Sequence, residues 1–101
     1  MAIRWAERAR TDVRELRAYI AQDSPYYARQ FVAQILRAVD KLADHPKIGR
    51  PVPEAKREDV RELIVAPYRI IYAIQTTTVH IVTVVHGARD LVNMQPAPWE
   101  G

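Results

Sequence analysis

The sequence of 101 residues has no cysteine, only three glycines and a single serine. Without cysteine there is no disulfide framework, no thiol nucleophile and no thiolate-bound metal. The glycines, Gly49, Gly87 and Gly101, are too scattered to form a glycine-rich phosphate-binding loop. The one serine, Ser24, stands before Pro25 at a predicted helix start, so we do not expect a serine nucleophile.

Long apolar runs are also missing, since none approaches the ~18–20 residues that span a bilayer. The first ten residues carry four charges and no apolar stretch, so we expect neither a membrane partner nor a secretory signal. The three histidines lack the clustered spacing of metal ligands, and we expect no metal and no cofactor. These absences favour a cytoplasmic protein.

The chain length predicts a single domain. We place this domain at residues 1–94 and predict a flexible, proline-rich tail at 95–101. Trp99 in that tail either folds back on the domain or awaits a partner.

The positive charge is modest. The net charge of +3 and the pI near 9.5 point weakly to acidic partners such as nucleic acid or an acidic protein. Basic and acidic residues nearly balance between Lys47 and Glu62, which favours a solvated surface over a phosphate-binding patch there.

Two amphipathic helices are predicted in the first half of the chain. One apolar stripe has helical spacing, namely Trp5, Ala9, Val13, Leu16 and Ile20. Four arginines fall mostly off that stripe and could bind a polyanion, although a solvated face is the favoured interpretation: Arg8, Arg10, Arg14 and Arg17. Ser24 and Pro25 start a second helix that should end near Asp44, and the short turn predicts an antiparallel hairpin.

The second half is predicted to be a sheet. Residues 2–5 can form a short strand, and three further strands are expected at 60–66, 68–76 and 78–86 as an antiparallel meander. Residues 46–59 are rich in proline and predict an irregular loop, in which Arg50 is either a surface cation or a brace against the sheet. The expected class is α+β, with the helical hairpin on one face of a small antiparallel sheet and the other face partly open.

Arg69 and His86 are the candidate site residues, because each places a cationic or titratable group near a strand end within apolar runs. Alternation groups Arg69 with Ile71 and Ala73, and it groups His86 with Val84, Val82 and His80. If both groups share the less covered face, one anionic or macromolecular ligand could meet a guanidinium and an imidazole. The alternative is structural: Arg69 pairs with Glu62, and His86 caps a strand end.

Five segments in this order resemble the RelE/ParE superfamily of bacterial toxins from type II toxin–antitoxin modules. They are WAERARTDVRELRAYI, SPYYARQFV, LADHPKIGRPVPE, VRELIVAPYRIIYAI and IVTVVHGARD. The resemblance spans about residues 3 to 92. It implies a β-α-α-β-β-β core, often with a further C-terminal helix, and a cognate antitoxin that binds the toxin in a hetero-oligomer and silences it.

The resemblance implies one of two activities. RelE-like members cut messenger RNA on the ribosome; Arg69 matches their central-strand arginine, and His86 or Arg89 falls near their late catalytic position. This chain departs from that pattern, because no tyrosine follows His86 and acids dilute the preceding basic loop. ParE-like members lack the nuclease set and bind DNA gyrase, stalling it on cleaved DNA. The YRIIY and VVHGARD patterns favour the ParE-like branch, which would be non-enzymatic. A diverged member that only binds its antitoxin is a third possibility.

Overall fold

The structure is a computed structural model and describes residues 1–100, with two helices over one sheet. The helices are α1 (Glu7–Ala21) and α2 (Pro25–Asp40), and the strands are β1 (Ala2–Trp5), β2 (Arg50–Pro51), β3 (Val60–Val65), β4 (Tyr68–Ile74) and β5 (Thr78–His86). Short 3₁₀ turns occupy Lys41–Ala43 and Pro98–Glu100. Neither helix is long and apolar enough to cross a membrane, as judged over residues 1–100.

The start of α2 follows the expected capping chemistry. The Ser24 hydroxyl accepts a hydrogen bond from the Tyr27 N–H at 3.2 Å, and Pro25 occupies the first helical position. The α-helix ends at Asp40, earlier than expected, and the 3₁₀ turn carries the chain on to Ala43. Helix ends commonly tighten in this way, so the apolar periodicity continues beyond the last α-helical residue.

The sheet has five strands in the order β1-β5-β4-β3-β2. The predicted meander is present, with β3, β4 and β5 antiparallel, but β1 pairs parallel to β5 and makes the sheet mixed. The prediction of a wholly antiparallel sheet is therefore wrong at this edge. The two-residue β2, which pairs Arg50 with Glu62, was not predicted because so short a strand has no periodicity.

The helices cover one face of the sheet, which we call the helix-facing side. Its core joins side chains of α1, α2 and the first 3₁₀ turn to residues of the strands: Ala9, Ile35, Val39, Leu42, Val65, Ile70, Tyr72, Val79, Ile81 and Val84. Tyr68 belongs to the same side, because its ring packs edge-on against Phe31 of α2.

The opposite face, which we call the tail-facing side, was expected to be partly open but is covered. The loop before β3 and the segment after β5 cover it with a second apolar cluster: Val52, Val60, Ile71, Val82, Val85 and Leu91, with Ala55, Ala73, Met94 and Trp99 packed around them. Of the two alternatives for Trp99, the structure therefore shows the folded-back one. The domain boundary at 94 and the flexibility of 95–101 stay predictions, and Gly101 lies outside the described residues.

A β-bulge interrupts the alternation of β5. Ile71 pairs with Thr83 while the next residue, Tyr72, pairs with Ile81, so Val82 has no partner on β4. An extra residue in one strand reverses which positions face each side. Val82 accordingly lies in the tail-facing cluster, whereas Val84 lies in the helix-facing core.

The tyrosine at position 72 holds the long loop against the sheet. Its buried hydroxyl accepts a hydrogen bond from the Gly49 N–H at 3.0 Å and donates one to the Pro46 carbonyl at 2.7 Å. Only glycine fits at 49, because a Cβ there would lie 2.4 Å from the Glu62 carbonyl oxygen and 2.6 Å from the Tyr72 hydroxyl. Tyr72 is thus both a core residue and the anchor of residues 46–49.

We predict that Tyr72→Phe loosens this loop without unfolding the sheet. The buried Gly49 N–H would lose its acceptor, which costs about 1–3 kcal/mol in the free energy of unfolding. Hydrogen exchange should speed up at Gly49 while the β4–β5 amides stay protected. Unchanged exchange at Gly49 would contradict the anchoring role.

Candidate functional site

Arg69 lies on β4 within a network of ion pairs. Its Nε donates to Glu62 Oε1 at 2.5 Å, and its two terminal nitrogens donate to the two carboxylate oxygens of Glu54, each at 2.9 Å. Glu62 comes from the neighbouring strand β3, whereas Glu54 comes from the loop that covers the tail-facing side. One guanidinium therefore uses three donors on two carboxylates, the fork geometry that arginine provides best.

Arg50 completes the network, which we call the Arg69 cluster: Arg50, Glu54, Glu62 and Arg69. Arg50 Nε donates to Glu62 Oε2 at 2.5 Å, so each oxygen of that carboxylate meets one arginine. The Glu62 side chain is 0% exposed and the Arg69 side chain 9% exposed, whereas the Arg50 side chain is 64% exposed. Two positive and two negative charges make the cluster neutral overall.

The protonation equilibria reflect these contacts. The hydrogen bond from Arg69 lowers the pKa of Glu54, despite the opposing effect of burial. The same contact, with the hydrogen bond to Glu62, raises the pKa of Arg69. Arg69 is thus a permanent cation whose charge the protein itself neutralises, and three of its five N–H donors are occupied. The structural alternative, an Arg69–Glu62 pair, is confirmed, and Arg50 is a brace between loop and sheet.

His86 and Arg89 lie elsewhere, in a groove of about 290 Å³ between α1 and the end of β5. Arg8, Asp12, Glu15, Tyr19 and Tyr68 also line this groove. The His86 ring packs edge-on against Tyr68 with a centroid separation of 5.5 Å, and its Nδ1 accepts the Ala88 N–H at 3.0 Å. This bond shapes the turn after β5, in agreement with the alternative that His86 caps a strand end. It leaves Nε2 available in the groove.

Arg69 and His86 do not share a face, so that expectation is wrong. The strand register sets Tyr68 opposite His86 and Arg69 opposite Val85. Tyr68 packs on α2, and Val85 belongs to the tail-facing cluster. The cause is the bulge at Val82, which moves His86 to the side opposite that predicted by counting along β5 from His80. The structure brings His86 together with Arg89 but separates both from Arg69, and their catalytic roles stay predictions.

Two further arginines, Arg57 in the loop and Arg61 at the start of β3, are also engaged. Arg57 forms two hydrogen bonds to the Asp59 carboxylate, at 3.1 and 2.6 Å. Arg61 bonds to the Glu58 carboxylate at 2.9 Å and to the Gly49 carbonyl at 2.9 Å. These cations stabilise the loop conformation rather than present a phosphate-binding patch. Residues 1–100 contain no group of three side chains suited to hold a metal ion.

The sequence pattern does not predict two of the contacts. The pairing of Glu54 with Arg69 is one of them, because no local spacing connects a proline-rich loop to a strand. Asp12 on α1 accepts hydrogen bonds from the Thr83 hydroxyl and from the Val84 N–H at 3.0 Å. That carboxylate satisfies the edge of β5 beyond the reach of β1, and its partners lie 71 and 72 positions away along the chain, so no local spacing reveals the contact.

The family model of the ParE toxin of the type II toxin–antitoxin system, parDE, matches residues 3–91. The chain belongs to this toxin family. The resemblance to the RelE/ParE superfamily is thereby confirmed, and the chain is the toxin type of a type II toxin–antitoxin system.

Two relatives are similar over most of their length. The putative toxin Y4kP of Sinorhizobium fredii is 44% identical over 86 residues, which is 83% of this chain and 85% of the relative. Toxin RelE2 of Caulobacter vibrioides is 39% identical over 85 residues, 84% of this chain and 93% of the relative. The first name gives no branch of the superfamily and the second names RelE, whereas the family model is that of ParE, so the comparisons do not distinguish a gyrase target from a ribosomal one.

Two solved structures have a similar fold. The chromosomal ParDE toxin–antitoxin system from P. aeruginosa aligns with a TM-score of 0.71 at 20% identity, over 85% of this chain and 95% of that one. The toxin–antitoxin complex RelBE2 from Mycobacterium tuberculosis aligns with a TM-score of 0.59 at 25% identity, over 84% and 95% of the two chains. The α+β fold is thus that of the ParE and RelE toxins.

We predict that the Arg69 cluster is a stability element. Arg69→Met would leave the buried Glu62 carboxylate paired only with the exposed Arg50, and Glu54 would lose its partner. We therefore expect a loss of about 3–5 kcal/mol in the free energy of unfolding. Chemical denaturation measures this directly. The matched control is Arg57→Met, which breaks the half-exposed pair with Asp59 and should cost about 1 kcal/mol or less.

Adding Glu62→Gln to Arg69→Met should recover part of the loss, because the uncompensated buried charge is then removed. Equal costs for Arg69→Met and Arg57→Met would show that the cluster contributes little.

Proposed function

We propose that this toxin inhibits DNA gyrase by a protein–protein contact and is not itself an enzyme. The observation that carries the proposal is the separation of the nuclease candidates. Arg69 is bound by Glu54 and Glu62 on the tail-facing side, while His86 and Arg89 lie in the α1 groove. RNA cleavage needs phosphate-binding and proton-transfer groups within reach of one scissile bond. Gyrase binding needs no such convergence.

The alternative is a ribosome-dependent endoribonuclease acting on messenger RNA. The groove around His86 favours it, since an imidazole with a free Nε2 lies in the same groove as Arg89 and Arg8. Such a site would have to work without Arg69. It would also contain the carboxylates of Asp12 and Glu15, which repel an RNA phosphate. The gyrase proposal therefore has the better support.

A cognate antitoxin is the second partner in this proposal, in a cytoplasmic hetero-oligomer that holds the toxin inactive. Both structural neighbours are toxin–antitoxin systems. The surface offers exposed apolar and aromatic side chains of the kind that an amphipathic segment buries: Tyr19, Tyr26, Tyr27, Leu36, Ile48 and Ile64.

Expression of the chain alone in bacteria, with DNA damage and transcript cleavage followed in parallel, tests the target. We expect DNA breaks and inhibited supercoiling, with transcripts intact. Codon-positioned cleavage without DNA breaks would contradict the proposal and support the nuclease. Normal growth would point to a toxin that only binds its antitoxin, which also contradicts it.

His86→Gln provides the matched variant, with His45→Gln as the control at another exposed histidine. Glutamine cannot transfer the proton, so a nuclease would lose roughly 10²–10⁴-fold in cleavage rate. A gyrase inhibitor has no proton to transfer, and both variants should keep their potency within a few fold.

A further inference from the structure

The net positive charge of the molecule resides in its first 41 residues. Lysine and arginine number eight there against five aspartates and glutamates, whereas residues 42–101 contain seven of each sign. Those first residues form β1, α1, α2 and the start of the 3₁₀ turn. The helical layer is therefore basic, and the rest of the chain is neutral overall.

The arginines of this layer are free of ion pairs. All five salt bridges found within residues 1–100 join partners between Arg50 and Arg69. On α1, Arg14 donates to the Thr11 hydroxyl at 3.1 Å, while the Arg10 and Arg17 side chains have no hydrogen-bond partner in the described structure. The mixed charges along the sequence thus do not neutralise one another on this helix.

Three of these residues form what we call the α1 ridge: Arg10, Arg14 and Arg17. Spacings of four and three place them along one flank of the helix, beside the buried stripe, and all three are exposed. At 1.5 Å per residue the ridge extends over about 10 Å, which equals the axial rise of about three base pairs of DNA at roughly 3.4 Å each.

We propose that the α1 ridge binds the phosphate backbone of double-stranded DNA, in particular the DNA that gyrase holds while the toxin is bound to it. This inference rests on the proposed function and adds a second contact to it. Guanidinium groups bind phosphate oxygens through paired donors, and such contacts fix a protein on DNA without reading its sequence.

The surface around the ridge fits a phosphate backbone better than an acidic protein segment. An amphipathic segment needs apolar anchor points, and Tyr19 is the one exposed large apolar side chain that α1 carries. Tyr19 lies on the other flank of α1, in the groove with His86, and Tyr26 and Tyr27 lie at the hairpin turn. The ridge itself offers charge without apolar area.

Fluorescence anisotropy with a labelled duplex of about 20 base pairs tests the contact across a salt series. The test variant is Arg10→Gln with Arg17→Gln, and the control is Lys47→Gln with Lys56→Gln, which removes the same charge from exposed loop positions. We expect the test variant to bind at least about tenfold more weakly at low salt, and its log–log salt slope to fall by about 1.8. The control should bind as the unmodified toxin does.

If both variants lose DNA affinity equally, net charge alone attracts DNA and the proposal is overturned. The proposal also fails if the unmodified toxin does not bind the duplex. Polyglutamate supplies the acidic-polypeptide probe. Polyglutamate could bind as strongly as the duplex at equal charge and lose the same affinity in the ridge variant. In that case the α1 ridge binds a protein partner instead.

A supercoiling assay separates this inference from the proposed function. Gyrase inhibition that survives unchanged in the ridge variant would overturn the DNA contact and leave the gyrase target intact. If the unmodified toxin does not inhibit gyrase, the proposed function fails, and the contact with gyrase-held DNA fails with it. The anisotropy data would then report only on affinity for free DNA.

Discussion

A fully buried carboxylate clamped between two arginines is the constraint on which the rest of this structure depends. Glu62 sits on β3 with one oxygen on Arg69 and the other on Arg50. An ionised carboxylate without partners is very costly to bury, so the two arginines stabilise the packed strand. Arg69 in turn holds Glu54, and Arg50 forms the short strand β2. The loop from 46 to 59 is therefore tied to the sheet by charge as well as by the Tyr72 hydroxyl.

That constraint bears directly on function. The carboxylates of Glu54 and Glu62 already neutralise the Arg69 guanidinium, so its charge is not available to an RNA phosphate. Releasing Arg69 would leave the buried Glu62 carboxylate without its buried partner. Arg69 is thus part of the scaffold. Unpaired groups lie elsewhere, on the α1 ridge, in the groove around His86 and among the exposed aromatic side chains of the hairpin.

Much of the fold could be predicted because its signals are local. The Ser24–Pro25 helix start, the apolar stripes and the three long strands each depend on neighbours within a few residues. The candidate site could not be predicted as well. Nothing in VHIVTVV marks Val82 as a bulge, yet that one residue reverses the side on which His86 lies. The path of a proline-rich loop decides that Glu54 reaches Arg69, and the return of the tail decides that Trp99 covers the sheet. These are long-range contacts with no periodic signature.

The state of the Arg69 guanidinium is the most direct test of this account. Nitrogen-15 NMR of the arginine side chains, at neutral pH, reports the exchange of each Nε proton with water. The account predicts that the Arg69 Nε proton exchanges far more slowly than those of the exposed Arg10 and Arg17, because it is buried and bonded to Glu62. Exchange at Arg69 as fast as at those surface arginines would show that the guanidinium is free, and it would contradict the account.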